Sequence, residues 1–182
     1  MSQTTPHRLL VEYLNALTKR LDIPAFATLI ALNFRVSSYY QDRSGFHPVE
    51  IQLNRSTNQS DNTHWSIVFD TSFTYPDEQT KKLEAELYFN FLREWFYQPD
   101  IERCDLHQPQ VTSLYESYER SFLKQIQQGS FDGIQATLVN IDTPTESSIA
   151  SPLTYEAYHA SRNQNSNDAV SPLCAAYLYS LS

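Results

Sequence analysis

Between residues 26 and 91 four runs alternate apolar and polar side chains, the period of strands with one covered face, and the polar loop Asn54–His64 separates the second from the third. In Phe26–Arg35, the residues Phe26, Thr28, Ile30, Leu32 and Phe34 share one side, and Ala27, Leu29, Ala31, Asn33 and Arg35 the other. His47–Leu53 sets His47, Val49, Ile51 and Leu53 against Pro48, Glu50 and Gln52. Along Trp65–Tyr75, Trp65, Ile67, Phe69, Phe73 and Tyr75 alternate with Ser66, Asp70, Ser72 and Thr74. Leu83–Phe91 is rich in Leu, Glu and Ala, which favour helix, yet period two fits every position and predicts a strand. Trp95–Arg103 then returns as its hairpin partner, and Gly133–Val139 is a short last strand.

Two stretches carry helical spacing instead. Thr5-Pro6 opens the first, with Thr5 as cap and Pro6 at the first helical position. Leu9, Leu10, Tyr13, Leu14, Leu17 and Leu21 form its apolar stripe, and Ile23-Pro24 ends it. Pro109 opens the second, with Val111, Leu114, Tyr115, Tyr118, Phe122 and Ile126 on one face and Gly129 as C-terminal cap. The pattern therefore predicts an α+β fold: an antiparallel meander sheet of five to six strands with two long helices packed on one face.

From residue 140 the composition turns to Ser, Thr, Asn and Pro. The chain divides into an α+β core domain, 1–139, and a C-terminal extension, 140–182. Ser151-Pro152-Leu153 and Ser171-Pro172-Leu173 each read as a helix start, giving the extension two short helices. Such helices are too short to stand alone.

Matching the apolar faces pairs Phe34 with Val49, Leu32 with Ile51 and Ile30 with Leu53. One register is favoured because a one-residue slip inverts every side chain. The same register sets Asn33 opposite Glu50, with Arg35 in diagonal reach. Continued by alternation alone, it places Asp70, Ser72, Glu86, Tyr88 and Asn90 on that same polar face.

Composition narrows the function classes. The net charge is −8 and no window clusters Lys and Arg, so nucleic acid is not an expected partner. No apolar run approaches the roughly 18 residues of a membrane helix, and Met1–Arg8 lacks a signal-peptide pattern. Two lone cysteines, Cys104 and Cys174, suit a reducing compartment, so the expected location is cytoplasmic. Only three glycines occur, too few for a phosphate loop or a dinucleotide fingerprint. His7, His47, His64, His107 and His159 are scattered singly, with no metal-ligand spacing. No nucleophile elbow is present, and Cys104 sits between acidic neighbourhoods that disfavour a thiolate. No catalytic residue, metal or cofactor is expected.

Several of these residues carry a family resemblance. Asn33-Phe34-Arg35, then Ser44-Gly45-Phe46-His47-Pro48-Val49-Glu50-Ile51, then Asp70-Thr71-Ser72-Phe73 with Tyr75, resemble a bacterial domain of unknown function, family 2787. Tyr88-Phe89-Asn90-Phe91 and Phe96-Tyr97-Gln98 look like a diverged next block, so the resemblance spans roughly Phe26–Gln98. The chain departs from the pattern at Val36, where an acidic residue is usual, and at Ser44, where a second glycine is usual. The resemblance implies an intracellular bacterial protein and no mechanism.

Two candidate sites remain. Asn33, Arg35, Glu50, Asp70 and Tyr88 are candidate ligand-binding residues, since the planar fork of arginine suits a carboxylate or phosphate. The competing reading is an internal ion-pair network on a half-covered sheet face. Tyr39, Tyr40, Phe46 and His47 are candidate interaction residues in a long polar turn, because exposed tyrosines often serve recognition. Against this, the tyrosines fold back to seal the sheet end, and His47 is a structural histidine bonded to the turn 36–45. The sequence thus points first to a non-enzymatic binding or interaction protein with a possible protein partner, its oligomeric state open. The alternative is a small-molecule-binding protein or enzyme with a cleft around Arg35, Glu50 and Asp70.

Overall fold

The computed structural model describes residues 8–55 and 64–139. The expected helix start at Thr5-Pro6 and the two short helices of 140–182 lie outside the described residues. The elements run α1 (Arg8–Thr18), β1 (Leu29–Arg35), α2 (Ser37–Asp42), β2 (Val49–Asn54), β3 (Ser66–Thr74), β4 (Glu84–Asn90), β5 (Trp95–Gln98), β6 (Ile101–Asp105), α3 (Pro109–Gln127) and β7 (Gly133–Leu138). The fold is α+β with one antiparallel sheet of seven strands, ordered β6-β5-β4-β3-β2-β1-β7.

Strands β1 to β6 form the meander that alternation predicts. The seventh strand arises because Trp95–Arg103 is two strands, β5 and β6, turning at Pro99-Asp100. After β6 the chain must reach the opposite edge, where β7 pairs with β1. Helix α3 makes that journey. Its 19 residues span about 28 Å at 1.5 Å each, close to the roughly 29 Å width of seven strands. Gly129 ends it as expected, with φ +68° and its N–H donating to the Ile126 carbonyl at 3.0 Å.

The β1–β2 register is the one the apolar pattern requires: Phe34 opposite Val49, Leu32 opposite Ile51, Ile30 opposite Leu53, and Asn33 opposite Glu50. Ile30, Leu32, Phe34, Val49, Ile51 and Leu53 are all buried and share one core cluster with Leu10 and Leu14 of α1 and Phe122 of α3. We call this the first face. Phe34 meets Phe122 edge-on at 5.0 Å. Helix α1 is tied to the sheet by Asn15, whose side chain accepts from Trp65 N at 2.7 Å and donates to Trp65 O at 2.8 Å.

Three local expectations are corrected. Phe26 is 78% exposed and stands outside β1, which starts at Leu29. The supposed long turn after β1 holds the short helix α2. Most consequential is β3. Gln52 pairs with Phe69 but Leu53 pairs with Ile67, so Val68 is an extra residue, a β-bulge. Its carbonyl accepts from both Phe91 N and Leu92 N. Beyond the bulge the faces exchange. Asp70 lies opposite Ile51 and Ser72 opposite Val49, on the first face, while Thr71 lies opposite Glu50. Asp70 therefore does not join Arg35 and Glu50.

The chain separates into a main unit, residues 1–73 and 85–139, and a smaller one, 74–84 and 140–182. In the described part of the smaller unit, Asp77 folds a turn by accepting from Gln79 N and Thr80 N at 2.8 and 2.7 Å. Among the described residues no helix is long and apolar enough to cross a membrane.

Candidate functional site

Two polar assemblies lie on the first face: the bulge brings Asp70 and Ser72 to it, and Glu86, which alternation set on the polar face with Tyr88, meets Ser72 and His47 there instead. The deeper one is centred on Asp70, which is 0% exposed. Tyr118 donates to its Oδ1 at 2.9 Å and Tyr115 to its Oδ2 at 3.4 Å. Helical spacing puts both phenols on the sheet-facing side of α3. Burial pushes the Asp70 carboxyl up to about 7, against the hydrogen bonds of Tyr118 and Tyr115, and the charge of Glu119 adds to the rise. Burial, with the charge of Asp70, likewise raises both phenols above the ordinary tyrosine range. Glu119 is itself buried and accepts from Leu10 N at 2.9 Å, joining α3 to α1. Burial raises its carboxyl as well.

The second assembly opens to solvent. His47 Nδ1 lies 2.6 Å from Glu86 Oε2, and each side chain is 38% exposed. Ser72 Oγ donates to the same Oε2 at 3.2 Å. The hydrogen bond from His47 is the largest influence on Glu86 and holds its carboxyl below the usual range despite partial burial. Glu86 is thus the ionised acceptor, and His47 carries its proton on Nδ1. The His47 ring rests on Tyr39 with centroids 5.0 Å apart.

The turn before His47 is built for this approach. Gly45 has φ +99°, and a Cβ there would meet Val36 Cγ1 at 3.0 Å and Ser38 Oγ at 3.2 Å. Only glycine fits without strain. Ser38 Oγ donates to Ser44 O, and Asp42 Oδ1 accepts from Ser44 N, each at 2.9 Å. Together these elements border a cleft of about 310 Å³. Val49, Leu87 and Phe122 supply apolar wall, Phe46 stands at the rim, and His47, Ser72, Glu86, Tyr118, Ser121 and Gln125 supply the polar groups. No cluster of three or more metal-ligating side chains occurs among the described residues.

The sequence candidates disperse around this cleft. His47 lies in it, on the side of Val49 that alternation assigns, but its partner is Glu86 rather than the backbone turn. Phe46 borders it and is 41% exposed. Tyr39 is buried, so it seals the sheet end, and Tyr40 is half-buried beneath the Arg35 guanidinium at 5.3 Å. Asn33 and Glu50 are cross-strand partners on the second face, half-buried, with Arg35 on the same face. Tyr88 shares that face but belongs to an aromatic row. It lies between Phe69, 5.2 Å away, and Trp95, 4.9 Å away, and Arg103 covers Trp95 at 4.9 Å. Glu86, Ser72 and Tyr118 are the residues that sequence reasoning missed as a site. Three consecutive apolar residues, Ile67-Val68-Phe69, are the one signal of the bulge that turns Asp70 and Ser72 to the first face.

Comparison with known proteins gives a family and no activity. A family model described as "Protein of unknown function (DUF2787)" matches residues 6–137. The hypothetical protein VC0508 from the Vibrio cholerae VSP-II pathogenicity island is similar, with a TM-score of 0.60 at 28% identity. That match covers 76% of this chain and 92% of VC0508. VC1805, a conserved hypothetical protein from Vibrio cholerae pathogenicity island VPI-2, gives a TM-score of 0.55 at 30% identity, covering 74% of this chain and 93% of its own. VC1805 is itself described as sharing structural homology with the human P32 protein. No curated protein matches.

Proposed function

The chain belongs to the DUF2787 family of proteins of unknown function, and from its own geometry we propose that it is a non-enzymatic binding protein whose ligand sits in the His47–Glu86 cleft. One observation carries this reading: a half-exposed, hydrogen-bonded His–Glu pair at 2.6 Å stands over an apolar-walled cleft of about 310 Å³. Ligand sites combine apolar wall with a few fixed polar groups, in volumes from about 300 Å³ upward; this cleft is at the small and polar end of that range. The placement of Ser72 supports binding over acyl transfer. Its hydroxyl donates to Glu86 and not to the imidazole, so no base is set to activate it. The Arg35–Glu50 face supports a ligand site less well, because its third acid, Asp70, is on the other side of the sheet. We place the protein in the cytoplasm, in keeping with the free thiol of Cys104.

The test is a metabolite thermal-shift screen on the whole chain and on Ser121→Trp, which fills the cleft from α3. A ligand at 100 times its Kd should stabilise the unaltered chain by about 2.7 kcal/mol and leave Ser121→Trp unmoved. Equal stabilisation of both chains would place the ligand elsewhere. The same pair of proteins, used as bait in a lysate pull-down, tests a protein as the ligand's source.

A further inference from the structure

Resting on the cleft reading above, we infer that the cleft selects a small ligand bearing a protonated amine on an apolar body. The argument comes from where the donors of the cleft already point. His47 directs Nδ1–H at Glu86, Ser72 directs its hydroxyl at Glu86, and Tyr118 directs its phenol at Asp70. Gln125 Nε2 donates to Ser121 Oγ at 3.3 Å. The donors of His47, Ser72 and Tyr118 are committed to other protein groups, while Gln125 keeps a second amide N–H and Ser121 its O–H on the α3 side of the cleft. What remains around Glu86 is acceptors: the lone pair of His47 Nε2 in its neutral form, the Ser72 and Tyr118 oxygens, and Glu86 Oε1. Both hydrogen bonds to Glu86 fall on Oε2, and none falls on Oε1 among the described residues.

Charge points the same way. Among the described residues Glu86 is the only acid in the lining, and no Lys or Arg stands in it. A carboxylate that is 38% exposed attracts a cation without being sealed from solvent. An ammonium group carries three donors and no acceptor, the complement of this surface. A carboxylate ligand would meet the like charge of Glu86, with only the neutral donors of Ser121 and Gln125 and no Lys or Arg of the lining to offset it. Val49, Leu87 and Phe122, with Phe46 at the rim, leave an apolar wall for the remainder of the ligand. An amine that lacks such a body gains only the exposed ion pair, a weak contribution.

The experiment compares hexylamine, 1-hexanol and hexanoate, titrated at pH 7.5 into the whole isotope-labelled chain and followed through the amide signals of Gly45–His47 and Ser121–Gln125. Hexylamine should bind at least tenfold more tightly than 1-hexanol, and hexanoate most weakly. In Glu86→Gln the amine should lose its advantage over the alcohol. Equal binding of amine and alcohol, or a preference for hexanoate, overturns the amine inference while leaving the cleft as a binding site. If none of the three moves these signals, the cleft reading falls with it. A lysine side chain in a blocked peptide, Nα-acetyl-lysine amide, separates the sources: binding as tight as hexylamine points to a protein ligand and overturns the small-ligand assignment. The three-probe comparison on the unaltered chain decides the inference even if Glu86→Gln fails to fold.

Discussion

Asp70 and Glu86 are carboxylates that lie close to Tyr118, and their environments drive them apart. Asp70 is sealed between β3 and α3, with two phenols as its hydrogen-bond donors, and is pushed up to about 7. Glu86 is half-exposed, takes hydrogen bonds from His47 and Ser72, and is held below its usual range. Desolvation dominates the first and a hydrogen-bonded partner dominates the second. Asp70 thus acts as a near-neutral acid that fastens α3 to the sheet, and Glu86 as a standing charge at an open cleft. The lesson is that an acid's neighbours on the page of a sequence say little; the depth at which the backbone sets it decides its chemistry.

The largest effect is expected from undoing the placement that the bulge sets. Inserting one alanine between Phe69 and Asp70 shifts every later residue of β3 by one and swings Asp70 and Ser72 off the first face. The account predicts a loss of about 4 kcal/mol or more, read by chemical denaturation, because either a misplaced polar group or a register slip must be accommodated. A near-neutral insertion would break the account of the bulge.

Next comes pH. The folded Asp70 value of about 7 lies above its ordinary 3.8. The unfolded chain therefore gives up this proton first. The stability that the protonated acid contributes is fully present below about pH 4 and is lost as pH rises through 7. At about 1.4 kcal/mol per unit the loss is about 4 kcal/mol. Asp70→Asn should flatten the decline between pH 4 and 7, as measured by denaturant midpoints. Glu119 shifts in the same direction and will leave some slope.

Tyr118→Phe sharpens the contrast further. It removes the 2.9 Å bond to Asp70 and should cost about 1–3 kcal/mol, more at pH 8 than at pH 5, since the ionised acid needs the donor most. Tyr115→Phe, whose bond is 3.4 Å, should cost less in the same assay. The smallest stability effect is expected at the cleft. Glu86→Gln should change stability by under about 1 kcal/mol, with the opposite pH sign: its contribution is lost as pH falls through the lowered carboxyl value.

Much of the scaffold was legible in the sequence. Period-two alternation gave the meander and the β1–β2 register to the residue, because one face of each strand is buried and a slip is costly. Pro109 and Gly129 bounded α3 through backbone chemistry that needs no tertiary information. The site was less legible. A bulge adds one residue without changing composition, so Asp70 read as a partner of Arg35 although it faces Tyr115 and Tyr118 across the core. The pair His47–Glu86 is 39 residues apart, and only the folded sheet brings it together. Tyr39 and Tyr40 read as a recognition turn because six residues are too few for helical periodicity to show.

Carboxyl-detected NMR titration of Asp70 and Glu86 in the whole chain, assigned with Asp70→Asn and Glu86→Gln, tests the division between the two acids most directly. The account predicts that Asp70 titrates near 7 and Glu86 below the ordinary 4.5 of a glutamate. Asp70 titrating near 4, or Glu86 titrating above 4.5, would contradict it.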